Sequence, residues 1–277
     1  MAMEKDIKNI SSAVMLFSSM SVSYFVYYFI TGEESFYEGF KTIFSTKLMY
    51  FCLGLELISF VIARINYEKN GNNITSINVM MFLSLLIVPV ISFYLTGPLG
   101  FKDTIEINYS DQLEMWLFIL LMAIILSGFF IGKFKGHINN WLLLILTPIS
   151  LSFTMFMTTK MMQMHDGYLV YGTIGLVNCL IFSVVAIYKK EIKNVNRSHK
   201  GHFALMAIPA VVFVPFNAIA VKIIAVEFVT LLKRVSQILT GIIVDRIHGN
   251  KETVNKKDRI IIILIFILAF GLYYYRA

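Results

Sequence analysis

The sequence predicts an all-α polytopic membrane protein, and three observations carry that prediction. Hydrophobic residues make up 57% of the 277-residue chain and charged residues 15%, with a mean hydropathy of +0.73; an average soluble domain is about 45–50% apolar and about 25% charged. The apolar residues gather into nine runs, each long enough to cross about 30 Å of hydrocarbon. The basic residues behind the formal charge of +7 lie mostly in short loops between those runs. There they set topology rather than bind nucleic acid.

The runs follow one another closely. The first, 10–31, is too long for a signal peptide and has no convincing small-residue cleavage site, so it reads as a retained helix. Ser12, Ser19 and Ser23 repeat on one of its faces, a small-residue stripe of the kind used for close helix packing. The next runs are 46–66, 74–96, 112–132, 138–159 and 167–188, followed by 202–223, 226–247 and 258–276. Pro89, Pro148, Pro209 and Pro215 interrupt three helices, and a proline within a span frees carbonyls that something else must satisfy. Pro215 with Asn217 marks a kink that either lines a pathway or serves packing. Most tyrosines, Tyr24, Tyr27, Tyr28 and Tyr168 among them, fit an interfacial aromatic belt, from which Tyr24 or Tyr171 can reach inward. Cys52 and Cys179 both lie in apolar stretches and show no metal-ligand spacing. With no long polar insert, residues 1–277 form a single transmembrane domain, divided into an N-terminal four-helix half, 1–135, and a C-terminal five-helix half, 136–277.

Loop charges orient the chain. Sixteen lysines and arginines fall on the side of the N-terminus and six on the other, leaving Lys233 and Arg234. The positive-inside rule puts the N-terminus in the cytoplasm and, with nine helices, the C-terminus outside. The expected location is a prokaryotic plasma membrane. A faint repeat lays the second to fourth helices on the seventh to ninth, and the first on the sixth. An odd displacement inverts the second copy, giving a 4+5 inverted repeat of the type secondary transporters use.

Lys233 and Arg234 lie inside the eighth run. A charge in mid-membrane costs roughly 2.5–3.5 kcal/mol on insertion scales. Thr230, Arg234, Gln237 and Gly241 share one helix face, and Lys233, Gln237 and Thr240 an overlapping one. Such a strip faces a cavity, unless both cations snorkel to headgroups. Arginine grips a planar oxyanion through parallel hydrogen bonds and lysine adds a mobile charge. Glu56, near the middle of the second run, reads as a proton-coupling carboxylate, a counter-charge to Lys233 or Arg234, or a structural hydrogen-bonding group. No HExxH, GxSxG, P-loop or paired-aspartate motif occurs, so no enzyme, catalytic residue, metal or cofactor is expected.

The segment Leu232-Lys233-Arg234-Val235-Ser236, followed by an apolar half-helix, a polar loop and Ala269-Phe270-Gly271-Leu272-Tyr273, resembles the last two helices of the drug/metabolite transporter (EamA-like) superfamily. It is most similar to the branch with a Lys-Arg pair, which includes triose-phosphate translocators. The resemblance implies a five-plus-five inverted repeat, alternating access, and an anion held by Lys233 and Arg234. The chain departs from that pattern in having nine runs, and in having no Lys or Arg in 74–96, where the phosphate carriers place a further basic residue.

The expected function is therefore secondary transport of a small organic anion, zwitterion or phosphorylated metabolite by alternating access. Thr230, Lys233, Arg234, Gln237, Asn217 and Tyr171 are the expected substrate-binding residues and Glu56 the coupling group or counter-charge. Membrane lipids are expected partners and a homodimer is left open. The alternatives are a flippase for a lipid or lipid-linked phosphate, and a non-transporting membrane subunit or receptor.

Overall fold

The computed structural model describes residues 10–31, 35–70, 81–101, 112–130, 141–190, 216 and 218–234, with isolated helical residues at 260, 263, 264, 267 and 271. The described residues form helices and turns only. In chain order they are α1 (Ile10–Thr31), α2 (Phe36–Ser45), α3 (Lys47–Asn70), a 3₁₀ turn (Met81–Leu83) leading into α4 (Ser84–Leu95), α5 (Gln112–Phe130), α6 (Trp141–Met164) and α7 (Gly167–Tyr188). Two further helical stretches, 218–223 and 226–234, are separated by a break at 224–225.

Among the described residues, four helices are long and apolar enough to cross a membrane: Ala13–Thr31, Lys47–Asn66, Leu142–Met164 and Gly167–Tyr188. Their outward faces agree with a lipid environment. On the shorter apolar α5, Leu113, Leu117, Leu120 and Ile124 are exposed while Met115 and Met122 are buried. Large exposed apolar patches are rare on soluble monomers, and the helices are compatible with an integral membrane protein. The last three predicted runs lie largely outside the described residues.

The chain packs into two compact units, each made of two segments. The first combines Met1–Leu57 with Met157–Ile223, the second Ile58–Phe156 with Ile224–Ala277. In the first unit α1 and α7 run antiparallel. Phe17 stacks on Phe182, Tyr24 on Tyr171 and Tyr27 on Tyr168. Between these ring pairs the backbones approach closely. A Cβ on Gly175 would lie 3.0 Å from the Ser21 nitrogen and 3.1 Å from the Phe17 carbonyl oxygen, and Ser21 Oγ donates to the Gly172 carbonyl at 2.9 Å. Helix packing in lipid relies on such small residues. The contact is centred on Ser21, whereas the expected serine stripe was Ser12, Ser19 and Ser23; Ser23 donates to the Ser19 carbonyl of its own helix. Tyr24 and Tyr28 are buried, so they belong to the core and not to an interfacial belt.

α3 and α6 are joined differently, through polar side chains. In the first unit Thr46 Oγ1 meets His165 Nε2 at 3.4 Å and Cys52 Sγ meets Thr158 Oγ1 at 3.4 Å. In the second, Ser59 and Thr154 hydroxyls lie 2.6 Å apart and Asn66 Nδ2 donates to Thr147 Oγ1 at 2.9 Å. As the α3 number rises the α6 number falls, so the helices are antiparallel. Pro148 removes the N–H that would bond the carbonyl of Leu144. Around it Thr147 donates to Leu143 O and Ser152 to Pro148 O, so side-chain hydroxyls supply backbone hydrogen bonds on both sides of the interruption.

The sequence reading has no helix at Phe36–Ser45, because ten mixed residues make no long apolar run. The local signals are nonetheless there. Ser35 is the N-cap and accepts from the Glu38 N–H, the spacing of a capping box. Phe36, Phe40 and Phe44 follow at i, i+4 and i+8 with successive ring centroids 5.5 and 4.7 Å apart. Gly39 and Ile43 are buried on another face.

Candidate functional site

The dibasic helix begins at the break at 224–225, where the Ala225 carbonyl accepts from Phe228 N and Val229 N. Residues 226–231 are buried on all sides, and beyond them the burial continues along one face. That face carries Glu227, Thr230 and Arg234, with Arg234 only 3% exposed. The spacing of three and then four residues stacks them on successive turns. Glu227 was not singled out from the sequence, although extending the same helical rule one turn toward the N-terminus finds it. A carboxylate in a first helical turn is favoured by the helix dipole.

The guanidinium of Arg234 meets Ser84 and Met155. Its Nε donates to Ser84 Oγ at 2.8 Å, and an Nη lies 3.7 Å from the Met155 sulfur. The Ser84 hydroxyl, fully buried, donates its own hydrogen bond to the Met81 carbonyl at 2.6 Å. The 3₁₀ turn at Met81–Leu83 thus presents a hydroxyl lone pair to the arginine. A serine at the start of a helix forms such local bonds to a carbonyl three residues back readily. The run 74–96 lacks a cation but supplies this acceptor.

The other expected residues divide between the units. Thr230 shares the buried face, and its hydroxyl donates to Val226 O of its own helix at 2.7 Å, so it has only lone pairs to offer a ligand. Lys233 is half-buried beside Arg234. Gln237 and Asn217 lie outside the described residues. Tyr171 and Glu56 belong to the first unit. Tyr171 stacks on Tyr24 with centroids 5.0 Å apart. Glu56 is half-buried, and its Oε1 accepts from Thr158 Oγ1 at 3.3 Å.

Two features of the first unit had no counterpart in the sequence reading. Lys160, counted there among the loop cations, lies inside α6 and is 0% exposed. The run 138–159 ended one residue too soon to reveal it, because Thr158-Thr159-Lys160 looks like a polar exit. The second feature is a cavity of about 650 Å³ where α1, α2, α6, α7 and the 218–223 helix end together. Its polar lining includes Tyr28, Gln163, His165, Asp166, Tyr168 and Lys222. Asp166 caps α7, its Oδ1 accepting from Tyr168 N at 2.8 Å and Leu169 N at 3.0 Å. Gln163 Nε2 donates to the Val221 carbonyl at 3.0 Å, tying α6 to the 218–223 helix.

The chain matches no family model, no curated protein and no solved structure. Among the described residues no group of three or more His, Cys, Asp or Glu is placed to hold a metal ion.

Proposed function

We propose that this protein is a secondary transporter that moves a small organic anion or phosphorylated metabolite across the membrane by alternating access. The observation that carries the reading is Arg234, a permanent cation buried in an apolar helix and aimed by Ser84. A buried charge is costly to maintain, and intramembrane ions mark substrate pathways. A guanidinium can grip a planar oxyanion through two parallel hydrogen bonds. Lys233, one residue earlier, adds a second positive charge. Carriers of this kind work by two bodies that alternate around a central site. In this reading the chain has nine spans arranged as a 4+5 inverted repeat of drug/metabolite-transporter type. Its N-terminus is cytoplasmic and Glu56 is the coupling carboxylate.

The test is uptake into proteoliposomes of labelled inorganic phosphate, a triose phosphate and a dicarboxylate. Wild type should take up at least one with saturation. The Lys233→Ala/Arg234→Ala double variant should lose about tenfold or more, as expected when charge-assisted bonds of about 1.5–3 kcal/mol are removed. Arg234→Lys should retain part of the rate, which separates loss of charge from loss of fold. Uptake of none of the three, or a double variant equal to wild type, rejects the reading. Scrambling of a lipid-linked phosphate without solute uptake would replace the solute by a lipid.

A further inference from the structure

We infer that α2 is a membrane-surface helix, lying in the plane of the bilayer's interfacial zone with Phe36, Phe40 and Phe44 set into the acyl boundary. The inference concerns the first unit alone. It rests on the apolar helices being membrane spans and is independent of the transport reading.

Topology places α2 at the edge of the hydrocarbon. It joins α1 to α3, both long and apolar enough to cross a membrane. Tyr27 of α1 stacks on Tyr168, and Thr46, the residue before α3, meets His165. His165 and Tyr168 flank the turn from α6 into α7, so α1 ends and α3 begins at one end of the unit. A helix of ten residues rises about 15 Å, half of the roughly 30 Å hydrocarbon core. α2 therefore cannot cross, and both of its ends are tied to the same level.

Helical periodicity sorts its positions into three sectors. Gly39, Thr42 and Ile43 line the cavity, and Gly39 and Ile43 are buried. Glu38, Lys41 and Ser45 are exposed and form a polar sector. Phe36, Phe40 and Phe44, each half-buried, fill the third. A charged face set against an apolar one marks a helix that lies on a membrane, whereas a spanning helix is apolar all round.

The ring sector continues the surfaces that two spans turn outward. Phe29, near the end of α1, is 68% exposed and stacks on Phe36 with centroids 5.3 Å apart. Tyr50, near the start of α3, is 58% exposed and meets Phe44 at 5.9 Å. With the Phe36–Phe40 and Phe40–Phe44 contacts at 5.5 and 4.7 Å, five rings form an unbroken line from α1 through α2 to α3. One continuous surface has one occupant, and for the outward face of a span that occupant is lipid. Tyr37, exposed at the border between ring and polar sectors, places a phenol where amphipathic rings gather, at headgroup level. The bilayer thereby holds the helix whose other face walls the cavity.

Depth-dependent fluorescence quenching tests this. The chain has two tryptophans, removed as Trp116→Phe/Trp141→Phe. A single reporter is then placed by Phe40→Trp or Lys41→Trp in the full chain, reconstituted into phosphatidylcholine vesicles. The lipid carries bromine either high on its acyl chains or near their ends, and iodide is added to the water. Phe40→Trp should be quenched about twofold more by the high bromine than by the deep one, as befits a face about 5–10 Å into the headgroup–acyl boundary. Lys41→Trp, in the polar sector, should be quenched severalfold more by iodide than Phe40→Trp and little by either lipid.

Phe40→Trp open to iodide and untouched by bromine overturns the proposal, because its face then lies in water. Shielding from both quenchers overturns it too, because a protein, a second copy of this chain included, then covers the rings. Stronger quenching by the deep bromine puts α2 inside the hydrocarbon, and equal behaviour at 40 and 41 removes the sectors; either result overturns the proposal. If Phe40→Trp does not fold, Phe44→Trp reports on the same sector and decides in its place. Quenching requires no transport, so its outcome and that of the uptake assay fail separately.

Discussion

The α1–α7 pair and the α3–α6 pair solve the same problem by opposite means. Both join antiparallel helices in surroundings where burying apolar surface gives little preference for one helix neighbour over another, because lipid tails are as apolar as leucine. α1 and α7 use shape. Gly175 lets the backbones approach, Gly172 leaves room for the Phe25 ring, and stacked rings fill the space on either side. α3 and α6 use hydrogen bonds, spaced from Thr46 and His165 to Asn66 and Thr147. Shape is unforgiving, since a backbone cannot move aside for one methyl group. Hydrogen bonds in lipid are forgiving, since a hydroxyl that loses its partner returns to its own helix, as Thr147 already does toward Leu143 O. The difference predicts which pair fails under substitution.

The largest effect belongs to Gly175→Ala. Its Cβ would meet the Ser21 nitrogen, the Ser21 Cα and the Phe17 oxygen, all backbone, at 3.0–3.1 Å. A loss of about 2–3 kcal/mol is expected from overpacking, read as a lowered thermal midpoint in detergent. Wild-type stability would break the contrast at its strongest point. Asp166→Ala should come next, at about 1 kcal/mol, because it removes the cap that receives two N–H groups of α7. Asp166→Asn should recover most of that in the same melt, since an amide oxygen still accepts.

Gly172→Ala sharpens the comparison. Its Cβ would sit 2.6 Å from Phe25 Cε1, nominally a worse clash than at Gly175. The obstacle is a side-chain ring able to turn away, so we expect about 1 kcal/mol or less, partly offset by the helix propensity of alanine. A cost exceeding that of Gly175→Ala would show that side-chain and backbone obstacles are not distinguished as claimed. The smallest effect is expected from the α3–α6 pair. A Ser59→Ala/Thr154→Ala double-mutant cycle across the 2.6 Å contact should give a coupling of about 0.6 kcal/mol, the average for such bonds in membranes. A coupling above about 2 kcal/mol would make the polar ladder as decisive as the glycine seam.

How far the sequence reaches can be judged residue by residue. The spans 10–31 and 167–188 coincide with α1 and α7, and the break at 224–225 falls between the predicted runs 202–223 and 226–247. Helix existence depends on long apolar runs, which are local. Arg234 on a buried face was likewise legible, because helical periodicity gives the face and cost gives the direction. Ser84 as its partner was not, since a serine 150 positions away in sequence has nothing local to distinguish it from any other. Lys160 was misplaced for a related reason. A polar Thr-Thr-Lys step at the end of a run reads as an exit to water, and only neighbouring helices show that the chain continues into a buried turn. The short α2 was missed because its apolar residues serve one face and never form a run.

The sequence by itself settled that this chain is helical, apolar enough for a membrane, and provided with two adjacent cations inside an apolar run. Those properties follow from composition and from the 3.6-residue period, both written along the chain. The tertiary structure decided which helices touch, that Ser21 rather than its serine neighbours meets α7, that Tyr24 and Tyr28 are core, and that several helix ends enclose one cavity. Those choices depend on which small residue faces which backbone across a helix pair, a relation between distant segments that no local pattern records.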